Sequence, residues 1–454
     1  MSAAALAPAG AMAQGMSAAD AAQMRAQIDA LRAQVQALET RLNSAAPAPA
    51  TPVAPTAPTP APAAPPAVIA AAPAPAPAPA TTEWKGAPEM RTASGWSFKP
   101  RGRMQLDVAG VDGPAAINDT GLGFGSEFRR VYLGFDGTMP GGFGYRIEAD
   151  LADNAVALTD VYMTWTRGHT QIMLGQHKPF SSMEDMTSDL FTSFQERAAF
   201  NSAFGFERRV GLSATYSNGA LVAQGGVFTD DVSALNAAQN NSWSVDGRLS
   251  FDPRVGDAQL HVGISAHSRD FNDAATTTRY RARPFVHTTD TRLVDTGAFT
   301  ATGEYNVGAE FAAISGRFHV AAESQWMTAR RAGLIDPTFH GGYAEAGLFL
   351  TNDRRRWRGG TFDRTQPAHA VGANGMGAVE LNLRYDWLDL NDAAAGLTGG
   401  HQSTYGVAMT WNPTNWARLT ANYGHVVVND ARIAAGTDRD YNAEALGLRA
   451  QIDF

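Results

Sequence analysis

The sequence predicts an all-β protein: a 16-stranded antiparallel transmembrane β-barrel, preceded by a short coiled-coil helix and a proline- and alanine-rich linker. Three observations lead to this prediction. Segments that alternate apolar and polar residues recur from about residue 95 to residue 454. Short and long connections between these segments alternate, as they do in outer-membrane barrels. The chain contains no run of eighteen apolar residues, which excludes a transmembrane helix.

The N-terminal part divides into three segments of different composition. Residues 1–13 end in AMA, the small-x-small form that precedes signal-peptide cleavage, so we expect the remnant of a secretory signal; an alanine-rich tail is the alternative. Residues 17–43 carry apolar residues at heptad spacing, which predicts a self-associating coiled coil or, alternatively, an amphipathic surface helix. Residues 45–82 predict a semi-rigid spacer, because proline prevents regular structure.

Composition and motifs exclude several classes of function. The formal net charge of -8 argues against a general nucleic-acid binder. The absence of cysteine excludes disulfides and thiolate metal sites. The sequence has no HExxH, GxxxxGK[ST] or GxSxG motif. We therefore expect a protein that is not an enzyme and that needs no cofactor or metal.

The region from residue 95 to residue 454 contains seventeen segments with β-strand alternation. They start near residues 96, 128, 143, 159, 170, 209, 219, 243, 258, 279, 304, 317, 342, 376, 403, 416 and 443. The segment at Arg279 contains Pro284, a residue that is rare inside strands, so we exclude it. Sixteen strands remain, which is the even number that a bacterial barrel requires.

The stretch FGYRIEADLAD shows what the two faces of a strand contact. Its apolar side chains are predicted to face lipid or a neighbouring subunit: Phe143, Tyr145, Ile147 and Leu151. Arg146, Glu148 and Asp150 alternate with them and are predicted to face water inside the barrel. Aromatic residues next to short turns are predicted to form the periplasmic interface belt: Trp165, Trp411, Trp416 and Phe454.

The connections after strands 2, 4, 6, 8, 10 and 14 are short, and the longest connections follow odd strands. Residues 177–208 combine charged and aromatic side chains, so we expect this connection to fold into the lumen. Residues 352–375 form a long connection where a short turn is expected. This connection folds inward, extends into the periplasm, or results from a misplaced strand.

Several segments, in order, resemble the phosphate-selective porins O and P of Gram-negative outer membranes. These segments include FKPRGRMQLDVAG, EFRRVYLGFDG, YRIEADLADN, LTDVYMTW, IMLGQHKPF, QERAAFN, RYRARP and FLTNDRRRWRGGTFD. The resemblance implies a trimeric outer-membrane channel with a ladder of arginines that leads anions to a lysine-ringed constriction. The positions that match the ladder are Arg130, Arg197, Arg279 and Arg281, and Asp150 matches a lumen-facing aspartate of the family.

The chain departs from this family where the phosphate channels carry lysines. The third loop reads FSSMEDMTSDLF and contributes the acidic residues Glu184, Asp185 and Asp189, with Lys178 as its nearest lysine. A second lysine region corresponds to TARRAGLIDPTFHG, whose only cations are Arg330 and Arg331. Fewer lysines and added carboxylates predict weaker phosphate selectivity, although arginine also binds oxyanions.

Two functional hypotheses follow. The first is a trimeric outer-membrane porin, surrounded by lipid, that lets small hydrophilic solutes diffuse passively and prefers anions or phosphate. The alternative is a barrel that tethers the outer membrane to peptidoglycan through its periplasmic coiled coil, with weak or non-selective conduction. A barrel enzyme would need a Ser/His/Asp cluster on its lipid-facing side, and the sequence shows none.

Overall fold

The computed structural model describes residues 81–84, 86–117, 121–235, 241–272 and 276–454. The predicted signal remnant, the coiled coil and nearly all of the linker lie outside these described residues.

Within the described residues, sixteen antiparallel strands form one closed barrel. Its strands are β1 Ser97–Asp112, β2 Gly123–Met139, β3 Phe143–Asp150, β4 Ala157–Arg167, β5 Thr170–His177, β6 Arg209–Asn218, β7 Leu221–Phe228, β8 Trp243–Phe251, β9 Ala258–Asp270, β10 Gly303–Ser315, β11 Phe318–Arg330, β12 Thr338–Phe349, β13 Ala378–Asp392, β14 Leu397–Asn412, β15 Ala417–Asn429 and β16 Tyr441–Asp453. Strand β16 pairs with β1, from Glu444 opposite Asp112 to Asp453 opposite Arg103. Closure removes the open sheet edge, so backbone groups that face lipid are hydrogen-bonded.

The remaining elements are short. A hairpin of Thr81–Trp84 and Pro88–Arg91 precedes β1 and pairs with its first residues. Arg254–Val255 extends the turn after β8, and two strand pairs lie between β9 and β10: Thr276–Thr278 with Phe299–Ala301, and Arg281–Ala282 with Val294–Asp295. Arg356–Arg358 pairs with Thr361–Asp363 between β12 and β13. The helices are α1 Met183–Met186 and α2 Ala199–Phe204, and no helix in the described ranges is long and apolar enough to cross a membrane.

The strand predictions from the sequence are confirmed. Each of the sixteen retained segments overlaps one barrel strand, and the excluded segment at Arg279 lies in the connection between β9 and β10. Phe143 and Ile147 are exposed on the outer face of β3, whereas Glu148 is buried on the inner face. The alternation therefore places charge inside the barrel and apolar side chains outside it.

A β-bulge changes the alternation in β2. Gln105 of β1 lies opposite Arg130, but the next residue, Leu106, lies opposite Phe128, which leaves Arg129 unpaired in the register. Arg129 and Arg130 consequently both bind groups inside the barrel, Arg129 to Glu196 and Arg130 to Gln105. A bulge turns consecutive side chains to the same face, which a strict period of two does not allow.

The connection between β5 and β6, residues 178–208, lies inside the barrel as predicted; we call it the inner loop. Its Met183 N–H donates to the carboxylates of Glu310 on β10 and Glu323 on β11, both at 2.8 Å. Farther along, Gln195 N–H donates to the side-chain oxygen of Asn422 on β15. The inner loop therefore crosses the lumen and is bound to the opposite wall.

Glu184 joins the two helices of the inner loop to that wall. One carboxylate oxygen accepts from Arg384 of β13 at 2.5 Å. The other accepts from the backbone N–H of Ala198, the N-cap residue of α2, and from the Asn201 side chain, both at 2.9 Å. Arg384 also binds Glu345 of β12 at 2.6 Å, so its guanidinium lies between two carboxylates.

The long connection between β12 and β13, residues 350–377, also folds inward; we call it the inner turn. Arg355 pairs with Glu380 of β13 at 3.1 Å and donates to the carbonyl of Phe191 in the inner loop. Arg248 of β8 donates to the carbonyl of Gly360 at 2.6 Å. Of the three outcomes considered for this connection, the structure shows inward folding, and the inner loop and inner turn touch each other.

We expect Glu184→Gln to release the inner loop, because the substitution leaves Arg384 buried with one carboxylate fewer. Breaking a buried ion pair from one side destabilises by about 3–5 kcal/mol. Limited trypsin digestion of the purified barrel should then cleave the inner loop, for example at Arg197. Glu207→Gln is the matched control, since Glu207 lies at the end of the same loop and is exposed. Equal protection of both variants would contradict this assignment.

Candidate permeation pathway

A cavity of about 1080 Å³ opens where the long connections of the barrel meet, and we call it the vestibule. Its walls come from the inner loop, from strand ends and from residues 276–302 between β9 and β10, called the upper loop. The cationic side chains that line it are Arg129, Lys178, Arg197, Arg208, Arg279, Arg281, Arg283 and Arg292. Its acidic side chains are Asp185, Glu196, Glu207, Asp231 and Asp386. The lining cations outnumber the lining acids, but Arg208, Arg279 and Arg283 are paired with Asp160, Asp295 and Asp290, which do not line the cavity.

The upper loop contributes a cluster of guanidinium groups that have fewer carboxylate partners than positive charges. Arg283 pairs with Asp290 at 2.8 Å, and Arg292 lies 4.0 Å from the same carboxylate, which is 95% exposed. Arg281 is exposed and has no ion-pair partner among the described residues. Burial, together with the charges of Arg283 and Arg281, lowers the pKa of Arg292 to about 10. The upper loop therefore crowds positive charge on one side of the vestibule.

The floor of the vestibule contains Lys178 and Arg197. Lys178 donates to the carbonyl and to the carboxylate of Asp185, both at 2.7 Å. Burial, together with the charge of Arg197, lowers the pKa of Lys178 to about 8. Arg197 donates to the carbonyls of Glu184 and Thr187 at 3.0 and 2.9 Å, so it also braces the inner loop. Both cations line the cavity and are bound to the loop at the same time.

Five charged side chains continue from the vestibule along the wall of β4 to β1, and we call them the wall line. Arg208 at the end of the inner loop contacts Asp160 of β4 at 2.5 Å, and Asp160 lies 3.5 Å from Arg146 of β3. Arg146 lies 3.3 Å from Asp136 of β2, which contacts Arg101 of β1 at 2.9 Å. Positive and negative groups therefore alternate along this wall.

The opposite side of the lumen is filled. Ion pairs against the inner loop and inner turn on this side are Arg248 with Glu310, Arg355 with Glu380, and Arg384 with Glu345. Their side chains are at most 3% exposed, whereas those of the wall line are between 14% and 32% exposed. The side of the lumen that water reaches is therefore the wall formed by β1 to β4.

Asp189 and Arg130 belong to a second charged cluster, which Arg103 and Glu148 join to Arg101 of the wall line. Asp189 contacts Arg103 at 2.5 Å and Arg130 at 3.4 Å. Although burial opposes its ionisation, the guanidinium groups of Arg103 and Arg130 hold the pKa of Asp189 well below its usual range. Asp189 thus fixes the inner loop to β1 and β2, and Arg130 is neutralised by it.

The remaining predicted residues are distributed over three places. Arg279, bound to Asp295 at 2.8 Å, lines the vestibule with Arg281. Asp150 accepts from the backbone N–H groups of Val131 and Ala152 at the end of β3. Arg330 and Arg331 lie at the loop end of β11, where they bind backbone carbonyls of neighbouring segments. Neither Asp150 nor this arginine pair lines the vestibule.

Sequence reasoning did not single out the acidic members of the wall line or the vestibule arginines Arg208, Arg283 and Arg292. Asp136 and Asp160 occupy inward positions of alternating strands, so a signal for their orientation was present. Their pairing with Arg101, Arg146 and Arg208 depends on strand register and on where the inner loop ends. Neither property can be read from single strands.

Comparisons with known proteins agree with this architecture. A family model described as phosphate-selective porin O and P matches residues 98–454. A protein of Caulobacter vibrioides is 44% identical, covering 99% of this chain and 94% of its own length. Porin O of Pseudomonas aeruginosa is 26% identical and covers 68% of this chain and 76% of its own length.

Two solved structures show the same fold. OmpT of Vibrio cholerae matches with a TM-score of 0.52 at 10% identity, over 80% of this chain and 99% of its own. The outer-membrane channel DcaP of Acinetobacter baumannii matches with a TM-score of 0.50 at 12% identity, again over 80% of this chain and 99% of its own. The family match covers every barrel strand except the first residue of β1. This chain therefore belongs to the phosphate-selective porin O and P family and is an outer-membrane channel.

Proposed function

We propose that this channel is a passive porin for small hydrophilic solutes with a moderate preference for anions. The observation that carries the proposal is the cluster of Arg281, Arg283 and Arg292 in the upper loop, where Asp290 is the carboxylate that contacts two of these three guanidinium groups. A positive entrance raises the local concentration of anions and lowers the energy of an anion that enters. Small inorganic and organic anions are the solutes that this entrance favours.

Phosphate is one of these anions, but the described lumen is not built to capture it tightly. The vestibule contains one lysine, and Asp185 already binds it. Below the vestibule, Asp136 and Asp160 repel an oxyanion that approaches the arginines of the wall line. Guanidinium forks bind phosphate well when they are free, and here most are occupied by carboxylates. The proposal is therefore permeation with weak binding.

We also propose that the channel is a trimer. Strands β3, β5 and β7 contain eight residues each, whereas β13 and β14 contain 15 and 16. Eight residues at ~3.3 Å each and a tilt of ~45° rise roughly 19 Å, less than an apolar band of ~25 Å. We call the part of the barrel formed by β3 to β7 the low wall. Contact with neighbouring copies of the chain along these strands would cover it. One of the solved OmpT structures, at 11% identity and a TM-score of 0.50, is described as a trimer form.

The tether hypothesis concerns the predicted coiled coil at residues 17–43 and the linker that follows it. Residues 1–80 lie outside the described residues, so the hypothesis stays a prediction, as does the periplasmic location of the coil.

The trimer proposal predicts that β5 is shielded from lipid and β13 is not. Leu174 on β5 and Leu383 on β13 are each 54% exposed on the outer face of a single chain, and the sequence has no cysteine. A fluorophore on Leu174→Cys should be quenched weakly by brominated lipid, and one on Leu383→Cys strongly. Equal quenching at both positions would show that the low wall faces lipid.

Planar-bilayer recordings in a KCl gradient test the anion preference. We expect wild-type channels to give a reversal potential of the anion-preferring sign. Arg281→Gln with Arg292→Gln removes two vestibule charges and should lower the anion-to-cation permeability ratio about twofold. Arg254→Gln, an exposed arginine in the turn after β8, is the control and should change nothing. A missing conductance, or a cation-preferring wild type, would refute the proposed function.

The anion preference should also fall as the pH rises from 7 to 9. A lysine carries its charge below its pKa, and the pKa of Lys178 is lowered to about 8 by burial beside Arg197. Deprotonation at higher pH therefore removes one positive charge from the vestibule floor. Lys178→Arg keeps that charge over the same range and should flatten the pH profile of the reversal potential. Identical profiles for wild type and variant would exclude Lys178 as the titrating group.

A further inference from the structure

Carboxylates alternate with arginines along the wall line. Asp136 is shared by Arg101 and Arg146, at 2.9 and 3.3 Å. Asp160 is shared by Arg146 and Arg208, at 3.5 and 2.5 Å. Within the wall line, two carboxylates are thus shared among three consecutive arginines, and buried Glu148 is a further partner of Arg101. All five side chains of the wall line keep contact with water.

We propose that Asp136 and Asp160 are specificity-determining residues of this channel, which hold its anion preference and its oxyanion binding low. The inference rests on the proposed porin function and on the wall formed by β1 to β4 being the route. Asp136 and Asp160 lie on that route and repel anions, whereas the vestibule attracts anions.

The physical reason is competition for the same guanidinium groups. An ion pair with atoms about 3 Å apart presents a dipole whose field decays faster with distance than that of a single charge. A passing anion must therefore displace a carboxylate that is fixed in place, or pass the arginines at a distance. Neutral side chains at the two acidic positions would leave the arginines free to bind it.

Neutralising Asp136 and Asp160 changes the charge around Arg146 more than that around the other wall-line arginines. Its carboxylate partners are Asp136 and Asp160, and its guanidinium carbon lies 5.6 Å from the centre of the Tyr162 ring. Arg101 differs, because buried Glu148 also contacts it at 3.0 Å and would remain. With both aspartates neutralised, Arg146 becomes a cation without an acidic partner in the wall line. Its planar fork then matches the oxygens of phosphate or a carboxylate.

Reversal potentials in a KCl gradient test the role of the two aspartates. Asp136→Asn and Asp160→Asn keep the side-chain shape, and each should raise the anion-to-cation permeability ratio roughly two- to fivefold. Adding Arg146→Gln to the double variant should reverse most of the gain. Asp112→Asn makes the same charge change at the exposed loop end of β1 and should leave the ratio unchanged.

Inhibition of the chloride current by added phosphate is a second measurement in the same recordings. We expect millimolar phosphate to reduce the chloride current of the double variant and to affect wild type little. If wild type conducts with an anion preference but the double variant shows neither an altered ratio nor phosphate inhibition, the proposed roles of Asp136 and Asp160 are overturned and the porin function stands. Failure of the porin function itself would appear in wild type, as missing conductance.

Cysteine accessibility separates a role on the route from an indirect effect on folding. Asp136→Cys and Asp160→Cys place thiols on the wall line of a cysteine-free chain. A negative methanethiosulfonate reagent should restore a low anion preference, and a positive one should raise it further. Ser250→Cys, buried on β8 on the filled side, should not react. Reaction at Ser250→Cys without reaction at Asp136→Cys would show that the open route does not follow the wall line.

Discussion

The buried contact between Glu184 of the inner loop and Arg384 of β13 is the interaction on which the internal arrangement of this barrel depends. It fixes the inner loop against the side of the lumen where Arg355 and Arg248 hold the inner turn. A buried ion pair contributes little net stability, because desolvation offsets most of the attraction, but it specifies geometry. Here it specifies which half of the lumen is filled and which half stays open.

The open half combines two opposite electrostatic arrangements. At the entrance, Arg281, Arg283 and Arg292 outnumber the single carboxylate of Asp290, and the proposed function assigns them the attraction of anions. Along the wall line, carboxylates accompany the arginines, and we propose that they weaken anion binding there. Conduction requires that a solute enter readily and also leave readily. In the proposed porin, a positive vestibule followed by a largely neutralised wall would meet both requirements without tight capture of phosphate.

The sequence was sufficient for the barrel because strand alternation is a local property. The sixteen strands, the exclusion of the Arg279 segment and the inward folding of residues 177–208 could all be read from composition and spacing. The partners of individual charges could not. Glu184 meets Arg384 across 200 residues of sequence, and a bulge at Arg129 brings two consecutive arginines inside.

The same limit applied to the inner turn and to the acidic loop residues. From sequence alone, the long connection between β12 and β13 allowed three interpretations, and only its packing against Phe191 and Glu380 distinguishes them. Asp189 reads as a charge in a constriction loop, and its contacts with Arg103 and Arg130 show that it also anchors this loop to β1 and β2. Register and long-range packing decide whether a charge faces the route or anchors the loop.

Anomalous diffraction from crystals soaked in bromide would test most directly where anions travel in this barrel. The account predicts bromide at the vestibule arginines of the upper loop and weaker sites beside Arg208, Arg146 and Arg101. Bromide beside Arg248, Arg355 or Arg384, on the side that the inner loop and inner turn fill, would contradict it.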